Sequence, residues 1–260
     1  MKIFIRCGIV VFATFIFAIA GEVIHQQFPE YVAHSGELIK LVSSLIGTLF
    51  AIVLGLLISS SYTAFNTHQA DFNAMATAIA NIDLILKYYP ASTKNMRHSL
   101  MLVVDEVLNR YWPKHTVMHN HDVDYRFLEN DINKILLINS SFHNISNVKQ
   151  DDINAMRNHS NNFISIQANI IRNLSSQVPS LLLYVVFGWA CLLFFLYGIF
   201  GNGTAFEFSF LFLGSIAIAS TNFLILELTH PYQGLFKISS AALDLLKQSI
   251  SLEDEKIFQS

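Results

Sequence analysis

Charge is scarce in this chain. Only 13% of its 260 residues are Asp, Glu, Lys or Arg, about half the roughly 25% of soluble domains. The 16 basic and 19 acidic residues leave a formal charge of −3, which argues against the clustered basic face that binds nucleic acid. Cysteine is nearly absent. Cys7 and Cys191 are the only two and both fall in apolar stretches, so neither a disulfide framework nor a thiolate metal cluster is available. Enzyme signatures are missing too: there is no Gly-rich phosphate loop, no Gly-x-Ser-x-Gly elbow, no His-Glu-x-x-His and no acid pair at a recognisable spacing. Neither catalysis nor a cofactor is predicted.

Apolar residues fill the space that charge leaves, at 53% of the chain with 22 Phe. They gather in four runs, Ile3 to Ala20, Leu41 to Ile58, Ser180 to Phe200 and Phe208 to Leu226, with Arg6 as their only formal charge. Each approaches the ~20 residues a helix needs to cross a hydrocarbon core of ~30 Å. We read an all-α integral membrane protein with four transmembrane helices, two plus two, around a central cytoplasmic helical bundle. The divisions are 1–62 (spans about 3–20 and 41–62), 63–178, 179–228 (spans about 180–200 and 208–228), and a tail 229–260 with a short amphipathic segment. The lipid bilayer is the first partner.

Basic residues set the expected orientation. Lys2 and Arg6 place the N-terminus inside, and Lys237, Lys247 and Lys256 do the same for the tail. The loop Gly21 to Lys40 is acidic and Gly201 to Glu207 has no basic residue, so both read as outside. Ten basic residues between Lys87 and Arg172 assign the central segment to the cytoplasm. The expected location is the cell (inner) membrane with both termini cytoplasmic. A rival reading takes Ala18-Ile19-Ala20 before Gly21 as a signal-peptide cleavage site, which would leave three spans.

The central segment has helical periodicity throughout. Phe65, Phe72, Ile79 and Leu86, with Met75, Ile82 and Tyr89, extend the second span as a long helix that Pro90 stops. Ser92 is placed to cap a second helix with the stripe Leu100, Val103, Val104, Val107, Leu108 and Tyr111, ended by Pro113. Tyr125, Leu128, Ile132, Ile135, Leu136 and Phe142 make a third. Asn147 with Gln150 has the spacing of a capping box for a fourth, whose stripe Ile153, Met156, Phe163, Ile170 and Leu174 runs to Pro179.

The stretch Asn222 to Ser239, in which a last span runs into Glu227 and then Pro231-Tyr232-Gln233-Gly234, resembles the end of the bestrophin-like family of bacterial multi-pass membrane proteins. A second resembling block is Gly55-Leu56-Leu57-Ile58 with Phe65, Asp71 and the helix to Tyr89-Pro90. The resemblance covers roughly residues 40 to 250. It implies paired spans separated by cytoplasmic helices, and a homo-oligomeric anion channel whose second span lines an apolar neck. Calcium gating is not carried over, because Glu253, Asp254 and Glu255 stand in a row rather than at the spacing of loop ligands.

Three groups of residues are the candidate sites. Ser44, Thr48, Ala51, Gly55 and Ser59 share one face of the second span, with Ile52 and Leu56 beside them. Such a face serves close helix packing, its commoner use, or lines a pore that passes an inorganic ion. Asn222, Glu227, Pro231 and Gly234 form the turn after the fourth span. A buried Glu227 is expected to accept backbone hydrogen bonds there, with Gly234 taking positive φ. His115, His119 and His121, near Asp122 and Asp124, are the densest set of metal-ligand types, although a solvated loop is the commoner reading of such a cluster and no His-Glu-x-x-His or Cys pair supports a metal. The alternative to a channel is a non-conducting membrane scaffold or sensor whose cytoplasmic bundle binds a partner.

Overall fold

The computed structural model describes residues 2–112, 125–175, 180–201, 203–229 and 235–258, and every regular element among them is helical. In chain order these are α1 (Lys2–Gln27), α2 (Pro29–Lys87), α3 (Pro90–Tyr111), α4 (Tyr125–His143), α5 (Gln150–Ser175), α6 (Ser180–Ile199), α7 (Ala205–Leu228) and α8 (Ala241–Phe258). α1, α2, α6 and α7 are long and apolar enough to cross a membrane.

The expected outer loop Gly21 to Lys40 is instead helical. α1 runs on to Gln27, and only Phe28 separates it from α2. Phe28 donates its amide to the Ile24 carbonyl at 2.9 Å, and its own carbonyl accepts from Val32 at 3.2 Å. Pro29 occupies the first helical position, where its missing N–H costs nothing. The polar composition of this stretch does not unwind it, because Pro29 falls at a first helical position and the backbone bonds run through Phe28 on both sides. α2 is 59 residues long, or about 90 Å at 1.5 Å per residue, three times the ~30 Å of hydrocarbon.

Two ends are capped differently from expectation. Pro90 is the first residue of α3 and Tyr89 precedes it without a side-chain cap. Thr93 rather than Ser92 ties the turn, its hydroxyl donating to the carbonyls of Leu86 at 2.7 Å and Tyr89 at 2.8 Å. Asn147 has φ 68°, a left-handed turn conformation in place of the extended one an N-cap needs. α5 starts three residues later, where Lys149 accepts from Asp152 and Ile153. A full capping box does form at α7, between Thr204 and Glu207.

Residues group into two compact units. The first comprises 1–65 and 177–236. In it α1 and α6 meet backbone to backbone. A Cβ on Gly21 would lie 2.1 Å from the Phe195 carbonyl oxygen, and one on Gly198 would lie 1.9 Å from that of Ala18. Small residues allow this approach, with Ala18 and Gly21 of α1 set against Gly198 and Phe195 of α6. α7 joins α1 through Phe15, edge-on to Phe212 at 5.5 Å and Phe208 at 6.4 Å.

The second unit comprises 66–176 and 237–260. Its core is built from Phe72, Met75, Ile79 and Leu86 of α2, Leu100, Val103, Val104 and Val107 of α3, Leu128, Ile135 and Phe142 of α4, Met156, Phe163 and Ile170 of α5, and Leu243 and Ile250 of α8. The α4 stripe differs from expectation in that Leu136 is 44% exposed and Ile138 is buried in its place. Asp83, with a 3% exposed side chain, binds Arg97 and Lys87, each at 2.9 Å.

Candidate functional site on the second span

Between residues 41 and 63, α2 has two unlike sides. Phe50 and Leu57 are buried with Val186, Ala190 and Leu193 of α6 and Ile225 of α7, and Ile46, Val53 and Leu54 extend the contact. On the opposite arc stand Ser44, Thr48, Ala51, Ile52, Gly55, Leu56 and Ser59, all exposed. Ile52 is 56% and Leu56 65% open, and Leu41 and Leu45 continue the arc at 71% and 57%. A Cβ on Gly55 would meet no atom within 4 Å, whereas one on Gly47 would touch Tyr197 Oη at 3.8 Å and Leu193 Cδ2 at 3.9 Å. Close packing within the chain therefore uses Gly47 and leaves the Gly55 arc uncovered.

The chemistry of this arc is unlike that of the exposed faces of α1 and α7. α1 exposes Phe4, Phe12 and Phe17, and α7 exposes Phe206, Phe210 and Phe212. The only Phe of α2 between 41 and 63 is Phe50, which is buried. Thr48 and Thr63 donate their hydroxyls to the carbonyls of Ser44 and Ser59, each at 2.9 Å. These threonine donors are spent inside the helix, and the arc presents their methyls, the Ser44 and Ser59 hydroxyls, and exposed Leu and Ile side chains.

Glu227 is 3% exposed and accepts from the amides of Leu235 at 2.7 Å and Phe236 at 3.4 Å. It thus holds the chain that leaves α7. Asn222 is half-buried one turn earlier. Pro231, Gly234, His115, His119 and His121 lie outside the described residues. Among the described residues no group of three or more His, Cys, Asp or Glu is arranged to hold a metal.

Sequence reasoning missed Glu22. It was assigned to a loop, but it is 6% exposed, accepts from Gln26 Nε2 at 3.1 Å, and lies against Gly201 and Gly203. A Cβ on Gly203 would come within 2.7 Å of Glu22 Oε1. No local pattern announces that pairing.

The family model for the bestrophin-like domain matches residues 7–243. Among solved structures, a leucine-to-threonine form of a bacterial bestrophin homologue from Klebsiella pneumoniae aligns with a TM-score of 0.70 at 17% identity, covering 96% of this chain and 98% of that one. An isoleucine-to-threonine form of the same homologue gives 0.70 at 17%, covering 96% and 99%. A membrane protein with a glycine-to-alanine substitution gives 0.70 at 14%, covering 93% and 96%. No curated protein matches the chain.

Proposed function

This chain belongs to the bestrophin-like family, and on that footing we propose that it is a homo-oligomeric ion channel of the bestrophin kind, in which the open arc of α2 lines an apolar pore. The observation that carries this reading is the uncovered arc itself. One side of α2 is packed against α6 and α7 while the other is exposed among the described residues. The arc also differs from the exposed faces of α1 and α7, which carry Phe where this one mixes small residues with Leu and Ile. A ring of α2 helices from several copies covers it and leaves small and apolar side chains toward the axis.

The proposed location is the cell inner membrane with both termini in the cytoplasm, since ten basic residues lie between Lys87 and Arg172. Anions are the first permeant ions to test, by family. Exposed Glu30 and Glu37 nevertheless continue the seven-residue spacing of Ser44 and Ala51, and Lys40 sits over the Phe200 ring, 5.4 Å from its centroid. The assay therefore sets chloride against sodium and potassium.

Purified protein in liposomes, with its oligomeric mass measured in detergent, tests the reading. Ion flux from a ring-sized oligomer, reduced by Gly55→Leu, supports it. A monomer or dimer without flux refutes it and favours a scaffold or sensor whose cytoplasmic helices bind a partner.

A further inference from the structure

In the second unit α3 and α4 meet through two crossing pairs of charges. Glu106 and Arg110 stand one turn apart on α3, and Asp131 and Lys134 one turn apart on α4. Arg110 clasps Asp131 with both terminal nitrogens, Nη1 to Oδ2 at 2.7 Å and Nη2 to Oδ1 at 3.2 Å. Lys134 donates to Glu106 Oε1, and Asn130 donates to Glu106 Oε2 at 3.1 Å. The Asp131 side chain is fully buried and that of Arg110 is 12% exposed, whereas Glu106 is 38% exposed. From α5, Gln167 Nε2 lies 3.4 Å from Asp131 Oδ2, and the buried Gln167 Oε1 has no hydrogen-bond partner. The Glu106 and Asp131 carboxyls are themselves within hydrogen-bonding reach. Two carboxyls so placed favour holding a proton between them.

We propose that Glu106, Arg110, Asp131 and Lys134 form a proton-operated latch between α3 and α4. One proton from solvent enters between the two carboxyls and neutralises Asp131, and Arg110 follows the remaining negative charge to Glu106. The environments of the two acids separate their roles. Burial pushes the Asp131 carboxyl up, against the pull of Arg110. Burial also raises Glu106, but the Lys134 hydrogen bond and charge outweigh it and hold Glu106 below the ordinary carboxylate range. Acidification therefore reaches Asp131 first and relieves the cost of its buried charge, while Glu106 stays ionised to lower pH.

A shift of Arg110 is transmitted along α3. Its guanidinium lies 6.0 Å from the Tyr111 ring centroid, Tyr111 packs edge-on against Trp112 at 6.1 Å, and Trp112 Nε1 donates to the Ile238 carbonyl at 2.9 Å. Other titratable groups border this path. α8 brings Lys247, paired with Asp105 at 2.6 Å. α2, whose Phe72 packs on Tyr111 and Trp112, brings His68 and Asp71, the latter accepting from Asn173 at 3.1 Å. His98, His143 and His159 stand on α3, α4 and α5.

The test uses the whole chain in lipid nanodiscs with Trp189→Phe, which leaves Trp112 as the only tryptophan. Its emission is followed from about pH 8 down to about pH 4.5, above the ordinary aspartate value of about 3.9. A reversible transition is expected, lost in Asp131→Asn, whose neutral-pH emission matches the acid form of the reference. Glu106→Gln, at a half-exposed site, removes the charge that Arg110 moves to, so the transition loses amplitude, and what remains has its midpoint moved to lower pH because a like charge is removed. No transition, or an unchanged one in Asp131→Asn, overturns the latch. If Asp131→Asn does not fold, a transition unchanged in amplitude and midpoint in Glu106→Gln overturns it.

Discussion

Gly55 and Gly198 give the sharpest test of the α2 arc, because the same kind of substitution has opposite consequences at the two sites. At Gly55 a side chain enters open space, and leaving glycine in a helix interior gains up to about 1 kcal/mol. At Gly198 even a single Cβ would fall 1.9 Å from the Ala18 carbonyl oxygen and 3.1 Å from the Glu22 amide nitrogen. No rotamer relieves a Cβ, so α1 and α6 must move apart, at about 1–3 kcal/mol or more. Gly55→Leu is therefore expected to resist unfolding by SDS as well as the parent, while Gly198→Ala unfolds at lower SDS. If the arc lines a pore, each copy adds one leucine to the ring, and an added barrier of only ~1.4 kcal/mol lowers flux about tenfold. Unchanged flux in a well-folded Gly55→Leu protein refutes the pore assignment, and an unfolded one refutes the open arc.

Three further outcomes follow from the packing. Asp83→Asn leaves Arg97, with a 5% exposed side chain, without its counter-charge and is expected to cost about 3–5 kcal/mol in thermal unfolding. A loss below ~1 kcal/mol would mean that Arg97 finds another acceptor. Glu227→Gln keeps an acceptor oxygen but loses the charge, so the bonds to Leu235 and Phe236 fall from about 1.5–3 toward 0.5–1.5 kcal/mol. Hydrogen exchange at those two amides should quicken, and unchanged protection counts against the anchor. Tyr111, 4% exposed, has its phenol pushed up to about 12 by burial. The unfolded chain ionises near pH 10 and the native one does not, so stability holds below pH 10 and falls by ~3 kcal/mol toward pH 12. Tyr111→Phe should remove that part of the alkaline loss, and an identical alkaline profile would count against the assignment.

How much could be read in advance depended on the range over which each constraint acts. The four spans were legible because lipid demands a long apolar helix wherever the chain crosses it, and run length alone reports that. The bestrophin-like likeness of Asn222 to Ser239 was legible for a related reason, as a local motif in contiguous sequence. Caps were less so. Asn147 and Thr204 each stand three residues before a Gln or Glu, yet only Thr204 has the extended backbone that a cap requires. On α4, Leu136 and Ile138 are both apolar within one turn, and it is the packing of the unit that buries Ile138 and exposes Leu136. Glu106 with Arg110, and Asp131 with Lys134, look in sequence like ordinary pairs on a solvated helix. Burial of Asp131 comes from the crossing of helices that are 21 residues apart at Arg110 and Asp131.

The α2 arc meets the same limit. Gly47 and Gly55 are equivalent as letters, both in an apolar helix among serines and leucines, and what separates them is the neighbour across from each. Leu193 and Tyr197 stand over Gly47, and among the described residues nothing lies within 4 Å of a Cβ on Gly55. A face that the protomer leaves uncovered has to be covered in the bilayer by lipid or by another copy of the chain. Lipid asks only for apolar surface, and this chain supplies it on α1 and α7 with phenylalanine. The arc interleaves Ser44, Thr48, Ala51, Gly55 and Ser59 with the exposed Leu41, Leu45, Ile52 and Leu56, and the proposed ring would use the small residues for close approach between copies and the apolar ones for the neck.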